Sequence, residues 1–227
     1  MIPLKDDNPT SKQPIITYFL IGLCVEIFLI ELTSQSYRTG QLFYSYGLIP
    51  SVLMGHDQLP ADLYVVPAYM TIFSSMFMHG GWIHLIGNMW YMKIFADNIE
   101  DNLGVRNFII FYLLCGIGAA MAQVLMDTHS QVPMVGASGA IGGVLGAYLI
   151  NHPNARVLVL IPYFIITIVK IRALYVLGFW FILQFISHGG GVAYAAHIGG
   201  FISGMVLILF FNKKVRRKTK IIKGPWG

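Results

Sequence analysis

The sequence predicts an all-α membrane protein, a bundle of six transmembrane helices with a membrane-embedded first loop. Of its 227 residues, 56% are hydrophobic and only 11% are charged, and the mean hydropathy is +0.66. Soluble domains carry about 25% charged residues. Apolar runs of about the length that a bilayer requires recur along the chain, and most basic residues fall between or after them. These observations exclude an ordinary soluble domain.

Six apolar segments are predicted to cross the bilayer. They are residues 15–32, 83–98, 107–126, 137–150, 173–187 and 194–211. Residues 33–82 are rich in aromatic side chains and broken by three prolines, so we expect them to lie in the membrane interface. Residues 156–171 are divided by Pro162 and flanked by basic residues, which favours a loop that dips into the cytoplasmic side.

The basic residues predict the orientation of the chain. Seven of them lie between Lys213 and Lys223, directly after the last apolar run, so the net charge of +5 indicates a membrane-flanking tail rather than a nucleic-acid surface. We expect residues 1–14 to be a cytoplasmic N-terminal segment, 15–211 the membrane domain and 212–227 a basic cytoplasmic tail. The short polar N-terminus favours a bacterial plasma membrane.

Four polar residues are predicted at one depth in the outer half of the membrane. Ser138 and His197 lie near the starts of the fourth and sixth spans, and His84 and Asn88 share one face of the second. A lone histidine in a span is as often a structural hydrogen-bonding group as a functional one. Four polar side chains from three spans, however, mark a functional site.

The residue types suggest acyl-transfer chemistry. Serine becomes a nucleophile when a base takes its proton, and a neutral imidazole suits that step. Small faces formed by glycines on the fourth and sixth spans would bring His197 close to Ser138: Gly139, Gly143, Gly146, Gly200 and Gly204. His84, Asn88 and the Ser138 amide can donate hydrogen bonds to an oxyanion.

Other readings use the same residues. Ser138 could simply bond to its own backbone among close-packed glycines. A metal site is disfavoured because His79 and His84 are five residues apart and no carboxylate or thiolate lies at that depth. A soluble-type nucleophile elbow, Gly-x-Ser-x-Gly, is disfavoured because Ala140 and then Ile141 follow Gly139, so the second glycine of that motif is missing, and because no strand precedes Ser138. A transporter would more often show repeated, broken helices.

Together these motifs resemble those of the rhomboid family of intramembrane serine proteases. The matching pieces are Gly136-Ala137-Ser138-Gly139, residues 79–88 followed by Glu100 and Gly104, and Ala196-His197 followed by Gly200 and Gly204. The resemblance implies six helices, Ser138 as nucleophile and His197 as base, without a carboxylate. It also implies an oxyanion hole made by His84, Asn88 and the Ser138 amide, and a mobile cap at residues 187–192.

The resemblance further implies cleavage of transmembrane protein substrates near the outer face of a lipid bilayer. No cofactor, metal or nucleic acid is implied. The alternatives are a non-catalytic membrane chaperone or scaffold of the same fold, and a transporter. In some family members an aromatic residue one turn after the serine stacks on the base, but Gly142 stands there, so what orients His197 stays open. We expect Gln123 and Gln184 to bridge helices and Glu100 to hold the following loop.

Overall fold

The structure of the protein is a computed structural model, and it describes residues 1–35, 40–162, 166–186 and 192–216. Within these residues the chain forms six helices of 14 or more residues. Their bounds are α1 Ile15–Thr33, α2 Trp82–Leu103, α3 Val105–Met126, α4 Ser138–Asn151, α5 Ala173–Ile186 and α6 Tyr194–Arg216. Each helix covers one predicted span, and the bounds differ by at most five residues. The predicted cap at 187–192, apart from Val192, and the tail beyond Arg216 lie outside the described residues.

Three of these helices are long and apolar enough to cross a membrane: Ile15–Thr33, Val105–Met126 and Tyr194–Asn212. Helices α4 and α5 have only 14 residues each. Helix α2 has 22 residues, but its second half is charged. The described residues therefore support a membrane protein with three strong candidate spans, and the count of six spans stays a prediction.

Helix α4 is the centre of the bundle. Its residues from Gly139 to Tyr148 are all buried. A methyl group on Gly200 of α6 would overlap the carbonyl oxygen of Gly139, and one on Gly204 would overlap that of Gly143. The predicted role of these glycines is confirmed, because α4 and α6 approach so closely that only hydrogen side chains fit between them.

Residues 156–171, predicted as a loop that dips into the cytoplasmic side, contribute two paired strands, so the all-α class was wrong in this part of the chain, whereas the position of the segment relative to a membrane stays a prediction. Strands β2 (Arg156–Pro162) and β3 (Ile166–Arg172) pair antiparallel, and β1 (Ile2–Asp6) pairs antiparallel with the other edge of β2. The segment is rich in Val and Ile, which favour strands, and alternate side chains such as Val157 and Val159 are fully buried. The described part of the protein is therefore mostly helical, with one three-stranded sheet.

The charged end of α2 holds the start of α1. The Glu100 carboxylate accepts hydrogen bonds from the backbone N–H groups of Ile16 and Thr17 at 2.9 and 2.8 Å, and from the Thr17 hydroxyl at 2.8 Å. These N–H groups have no partner within their own helix. Glu100 forms hydrogen bonds as predicted, but its partner is the first helix rather than the next loop.

The chain between α1 and α2 folds into short helices at Gln41–Tyr46, Pro50–Leu53 and Thr71–Ser74, with 3-10 turns at Ala68–Met70 and Ser75–Phe77. Its backbone pairs with the segment before α4, through a bridge between Leu48 and Met134 and a bond from Gly136 N–H to the Ser75 carbonyl. These contacts fix the approach to Ser138. The placement of this segment in a membrane interface stays a prediction.

Candidate active site

Ser138 and His197 are in hydrogen-bond contact. Ser138 is the first residue of α4, and His197 lies in the first turn of α6. The distance from Ser138 Oγ to His197 Nε2 is 2.8 Å. The glycine contact between the two helices positions this pair, since it brings together helix ends that are 59 residues apart in sequence.

The environment of Gly142 explains why no aromatic residue stands there. A methyl group at Gly142 would lie 3.0 Å from the carbonyl oxygen of His197 and 3.5 Å from the nitrogen of Phe201. The backbone of α6 thus occupies the space that a larger side chain would require. The imidazole must be held by groups other than a side chain at position 142.

Those groups come from α5. Gln184 is buried, and its Oε1 lies 2.8 Å from Nδ1 of His197. The Trp180 ring lies beside the imidazole, with ring centroids 5.8 Å apart and planes inclined by 33°. The ring nitrogen that does not face Ser138 is therefore bound, and one side of the ring is covered by an indole.

Gln123 bridges helices as well, as predicted. Its Oε1 accepts a hydrogen bond from the Ala196 N–H at 3.3 Å, which ties α3 to the first turn of α6. The prediction that Gln184 bridges helices is also confirmed, but the sequence did not indicate that its partner is the His197 ring.

One ring nitrogen of His84 faces the space beside Gly136. The Gly80 N–H donates to His84 Nδ1 at 3.4 Å, which leaves Nε2 as the protonated nitrogen of the neutral ring. A methyl group on Gly136 would lie 2.6 Å from His84 Nε2 and 3.6 Å from Ser138 Oγ. His84 Nε2 and the serine hydroxyl therefore border the same small space beside Gly136, whose φ of +126° favours glycine.

Asn88 offers a second donor. Asn88 is 8% exposed, and its Nδ2 atom is buried without a hydrogen-bond acceptor among the described residues. Leaving a buried N–H group unpaired costs about 1–3 kcal/mol, so such a group calls for an explanation. A ligand oxygen at the site would satisfy it.

A cavity of about 1070 Å³ connects these groups, and Ser138, His197, His84 and Asn88 all line it. Its walls come from α2, α3, α4 and α6, from Trp180 of α5, and from the segments that precede α2 and α4. The space is large enough for an extended stretch of peptide. The structure therefore brings all four residues singled out from the sequence to one cavity.

His79 lies behind His84 and is fully buried. Its ring packs edge-on against the His84 ring at 5.2 Å, and its backbone N–H donates to the buried Glu31 at 3.4 Å. Within the described residues, no group of three histidine, cysteine or acidic side chains is arranged to hold a metal ion. His79 thus supports the His84 ring by packing.

The sequence matches the rhomboid domain model over residues 66–214, a range that contains every residue of this site. The chain belongs to the rhomboid family.

Relatives of this rhomboid occur in plants, fungi and bacteria. The chain is 31% identical to RHOMBOID-like protein 5 of Arabidopsis thaliana over 60% of its own length and 42% of that protein. It is 27% identical to Rhomboid protein 1, mitochondrial, of Saccharomyces cerevisiae over 90% of its length and 56% of the relative. It is 30% identical to Rhomboid protease GluP of Bacillus subtilis over 86% of its length and 34% of the relative.

The chain thus spans between about a third and about a half of the length of these relatives. One of them is mitochondrial and another is bacterial. They agree with a membrane location and do not support the narrower prediction of a bacterial plasma membrane.

Sequence reasoning did not identify Gln184 and Trp180 as side chains that contact the imidazole of this rhomboid. Gln184 is the one side chain with hydrogen-bonding capacity among the last six residues of α5, Phe181–Ile186, and an amide in an apolar helix suggests a specific partner. That signal does not identify the partner, because the rotation of α5 about its axis decides which atom the amide reaches. Trp180 carries no comparable signal, since aromatic residues are common throughout this chain.

Proposed function

We propose that this rhomboid is an intramembrane serine endopeptidase that hydrolyses peptide bonds in or near transmembrane segments of membrane proteins. Ser138 is the nucleophile and His197 is the base. The observation that carries the proposal is the 2.8 Å contact between Ser138 Oγ and His197 Nε2 inside a cavity wide enough for a peptide. A hydroxyl in contact with an unhindered imidazole nitrogen is the arrangement that activates serine.

The proposed reaction has two steps. His197 Nε2 takes the Ser138 proton while Oγ attacks the peptide carbonyl, and the protonated ring then passes that proton to the leaving amine. A water molecule, deprotonated by His197, hydrolyses the acyl-enzyme and restores the serine. No metal or other cofactor takes part, and chelators are expected to leave the activity unchanged.

The negative oxygen that forms in each step needs donors. His84 Nε2, the unpaired Asn88 Nδ2 and the Ser138 backbone N–H at the start of α4 are the proposed oxyanion hole. Removing one donor typically costs 10²- to 10³-fold in rate. We expect a loss of about that size in kcat for Asn88→Ala.

The proposed substrates are transmembrane helices that unwind locally near the outer face of the membrane. A fully hydrogen-bonded helix hides its carbonyl groups, so helix-breaking or small residues near the cut favour entry. The printed name of the Bacillus subtilis relative, a rhomboid protease, supports the reaction class. The six-span topology with both ends of the chain in the cytoplasm belongs to this proposal, as do the cytoplasmic segment 1–14 and the basic tail 212–227.

Cleavage of a transmembrane test substrate by the purified protein tests the proposal. We expect the wild-type protein to cut and both Ser138→Ala and His197→Ala to be inactive. Ser130→Ala and His129→Ala are matched controls, because Ser130 lines the same cavity but its hydroxyl accepts a hydrogen bond from the Val132 N–H, and because His129 stacks on His56. Undiminished cleavage by Ser138→Ala would refute the proposal.

The same preparation separates the rival functions. A transporter predicts solute flux into vesicles that survives Ser138→Ala, and a non-catalytic scaffold predicts substrate binding without any cut. Either result with folded wild-type protein argues against the endopeptidase.

A further inference from the structure

Gln184 contacts the proposed base from a different helix. Its side chain is 8% exposed and belongs to α5, whereas His197 belongs to α6. Its Oε1 lies 2.8 Å from His197 Nδ1, and its Nε2 donates to the carbonyl oxygen of Trp180 at 2.8 Å. One end of the amide thus binds the imidazole, and the other end is anchored on the backbone of α5.

The Trp180 carbonyl decides how the amide is oriented. A carbonyl oxygen only accepts hydrogen bonds, so the NH₂ end of Gln184 must face Trp180 and the oxygen end must face His197. The amide oxygen also only accepts, so Nδ1 of His197 must carry the ring proton. In a neutral imidazole the other nitrogen, Nε2, is then unprotonated and accepts a hydrogen bond from the Ser138 hydroxyl.

We propose that Gln184 is a positioning residue that holds His197 in the Nδ1–H tautomer, with Nε2 ready to take the Ser138 proton. This inference rests on the proposed function. In the opposite tautomer Nε2 would itself donate to Ser138 and could accept no proton, so the fraction of protein with the correct tautomer limits the rate. Gln184 takes the place that a carboxylate occupies in a Ser-His-Asp triad.

A neutral amide suits this position. The amide oxygen accepts the Nδ1–H bond both before and after His197 is protonated, so the contact survives proton transfer. The neighbouring side chains are aromatic: Trp180 covers the imidazole, and Phe201 stacks on Phe181 with centroids 4.5 Å apart. A carboxylate in such apolar surroundings is costly without a charged partner, whereas an amide with both ends bonded is not.

The ¹⁵N NMR spectrum of the histidine side chains tests the inference without relying on activity. The protein is labelled with ¹⁵N-histidine, and the His197 signals are assigned by their loss in His197→Ala. We expect the wild-type protein to show a protonated Nδ1 and an unprotonated Nε2. We expect Gln184→Met, which keeps the length of the side chain and removes the amide, to shift His197 towards the Nε2–H form.

Kinetics supply the second readout. For Gln184→Met we expect kcat to fall roughly 5- to 100-fold, the factor that a lost buried hydrogen bond is worth, while KM stays within about twofold. Gln184→Glu can match the amide only as the neutral carboxylic acid, which keeps an acceptor oxygen towards His197 and an O–H donor towards the Trp180 carbonyl; in that form it should retain most of kcat. Gln131→Met is the matched control, because this exposed glutamine donates a hydrogen bond to Asp57; it should change neither kcat nor the tautomer.

The outcomes separate this inference from the proposed function. Two results would overturn the inference: a wild-type His197 that is protonated on Nε2, or a Gln184→Met protein whose tautomer and kcat are unchanged. Neither result affects the proposed function as long as the wild-type protein cleaves the substrate. If Gln184→Met fails to fold, the wild-type tautomer and Gln184→Glu decide the matter. A tautomer that depends on Gln184 in a protein that cuts nothing would support the inference and refute the proposed function.

Discussion

A single methyl group at Gly200 is predicted to disrupt both the fold and the candidate site. In Gly200→Ala the added Cβ would lie 2.8 Å from the carbonyl carbon of Gly139 and would overlap the adjoining oxygen. Carbon atoms in contact are about 3.5 Å apart, so the space is short by at least about 0.7 Å. Because the atoms in the way are helix backbone rather than the end of a flexible side chain, α4 and α6 must separate.

The separation acts directly on Ser138 and His197. If the shift reaches the site in full, the contact between Ser138 Oγ and His197 Nε2 lengthens from 2.8 Å to about 3.5 Å, where a hydrogen bond ends. Overpacking a close contact typically costs about 1–3 kcal/mol. We therefore expect the free energy of unfolding to fall by that amount and kcat to fall by more than about 10-fold, since general-base catalysis contributes roughly 10²- to 10⁴-fold.

Thermal unfolding in detergent micelles and cleavage of a transmembrane substrate measure the two effects. Gly22→Ala is the matched control, because Gly22 lies within α1 and a methyl group there has no atom within 4 Å. That substitution should stabilise the helix by about 0.5–1 kcal/mol. If Gly200→Ala behaves like Gly22→Ala in both assays, the close approach of α4 and α6 is not what positions the pair.

Three further substitutions test separate contacts. Gly136→Ala should lower kcat by about 10²- to 10³-fold, because its methyl group would lie 2.6 Å from His84 Nε2 and displace that donor, and because the φ of +126° strains any residue other than glycine. Glu100→Gln should lower the free energy of unfolding by about 1–3 kcal/mol, because one of the two carboxylate oxygens that cap α1 is lost. Its control is Glu26→Gln, which lies on the exposed face of α1 and should have little effect. Burial lowers the pKa of His152 below the unfolded-state value of 6.5. The contribution of this histidine to stability is therefore fully present above pH 6.5 and is lost as the pH falls. Between pH 7.5 and pH 5 the melting temperature of His152→Gln should fall less than that of the wild type.

Each of these predictions has a result that would contradict it. Full activity in Gly136→Ala would mean that His84 donates nothing to the reaction. Equal melting temperatures for Glu100→Gln and Glu26→Gln would mean that the cap on α1 contributes no stability. Parallel pH curves for His152→Gln and the wild type would mean that His152 binds protons equally in the folded and unfolded states.

The residues of the candidate site could be predicted because the order of the apolar runs assigns each of them an expected depth in the membrane. Ser138, His197 and His84 lie near helix starts that a count of spans puts on the same side, and the four-residue spacing of the glycines predicts a close approach of two helices. Both inferences need only the order of apolar runs and local spacing. They do not require knowledge of any side-chain rotation.

The features that could not be predicted depend on contacts between distant parts of the chain. Glu100 binds Ile16 and Thr17, which precede it by 84 and 83 positions in the sequence, and no local pattern indicates that pairing. The hairpin at Arg156–Arg172 resembles a broken membrane span in composition, and its third strand, Ile2–Asp6, comes from the opposite end of the sequence. The contact between Gln184 and His197 depends on how α5 is rotated, which apolar composition leaves open.

Covalent labelling with a fluorophosphonate, mapped by mass spectrometry, tests the central claim most directly. Such a probe reacts with a serine hydroxyl that a neighbouring base activates. The account predicts one modified residue, Ser138, in the wild-type protein and no modification of Ser138 in His197→Ala. Labelling of a different serine, or undiminished labelling of Ser138 in His197→Ala, would contradict it.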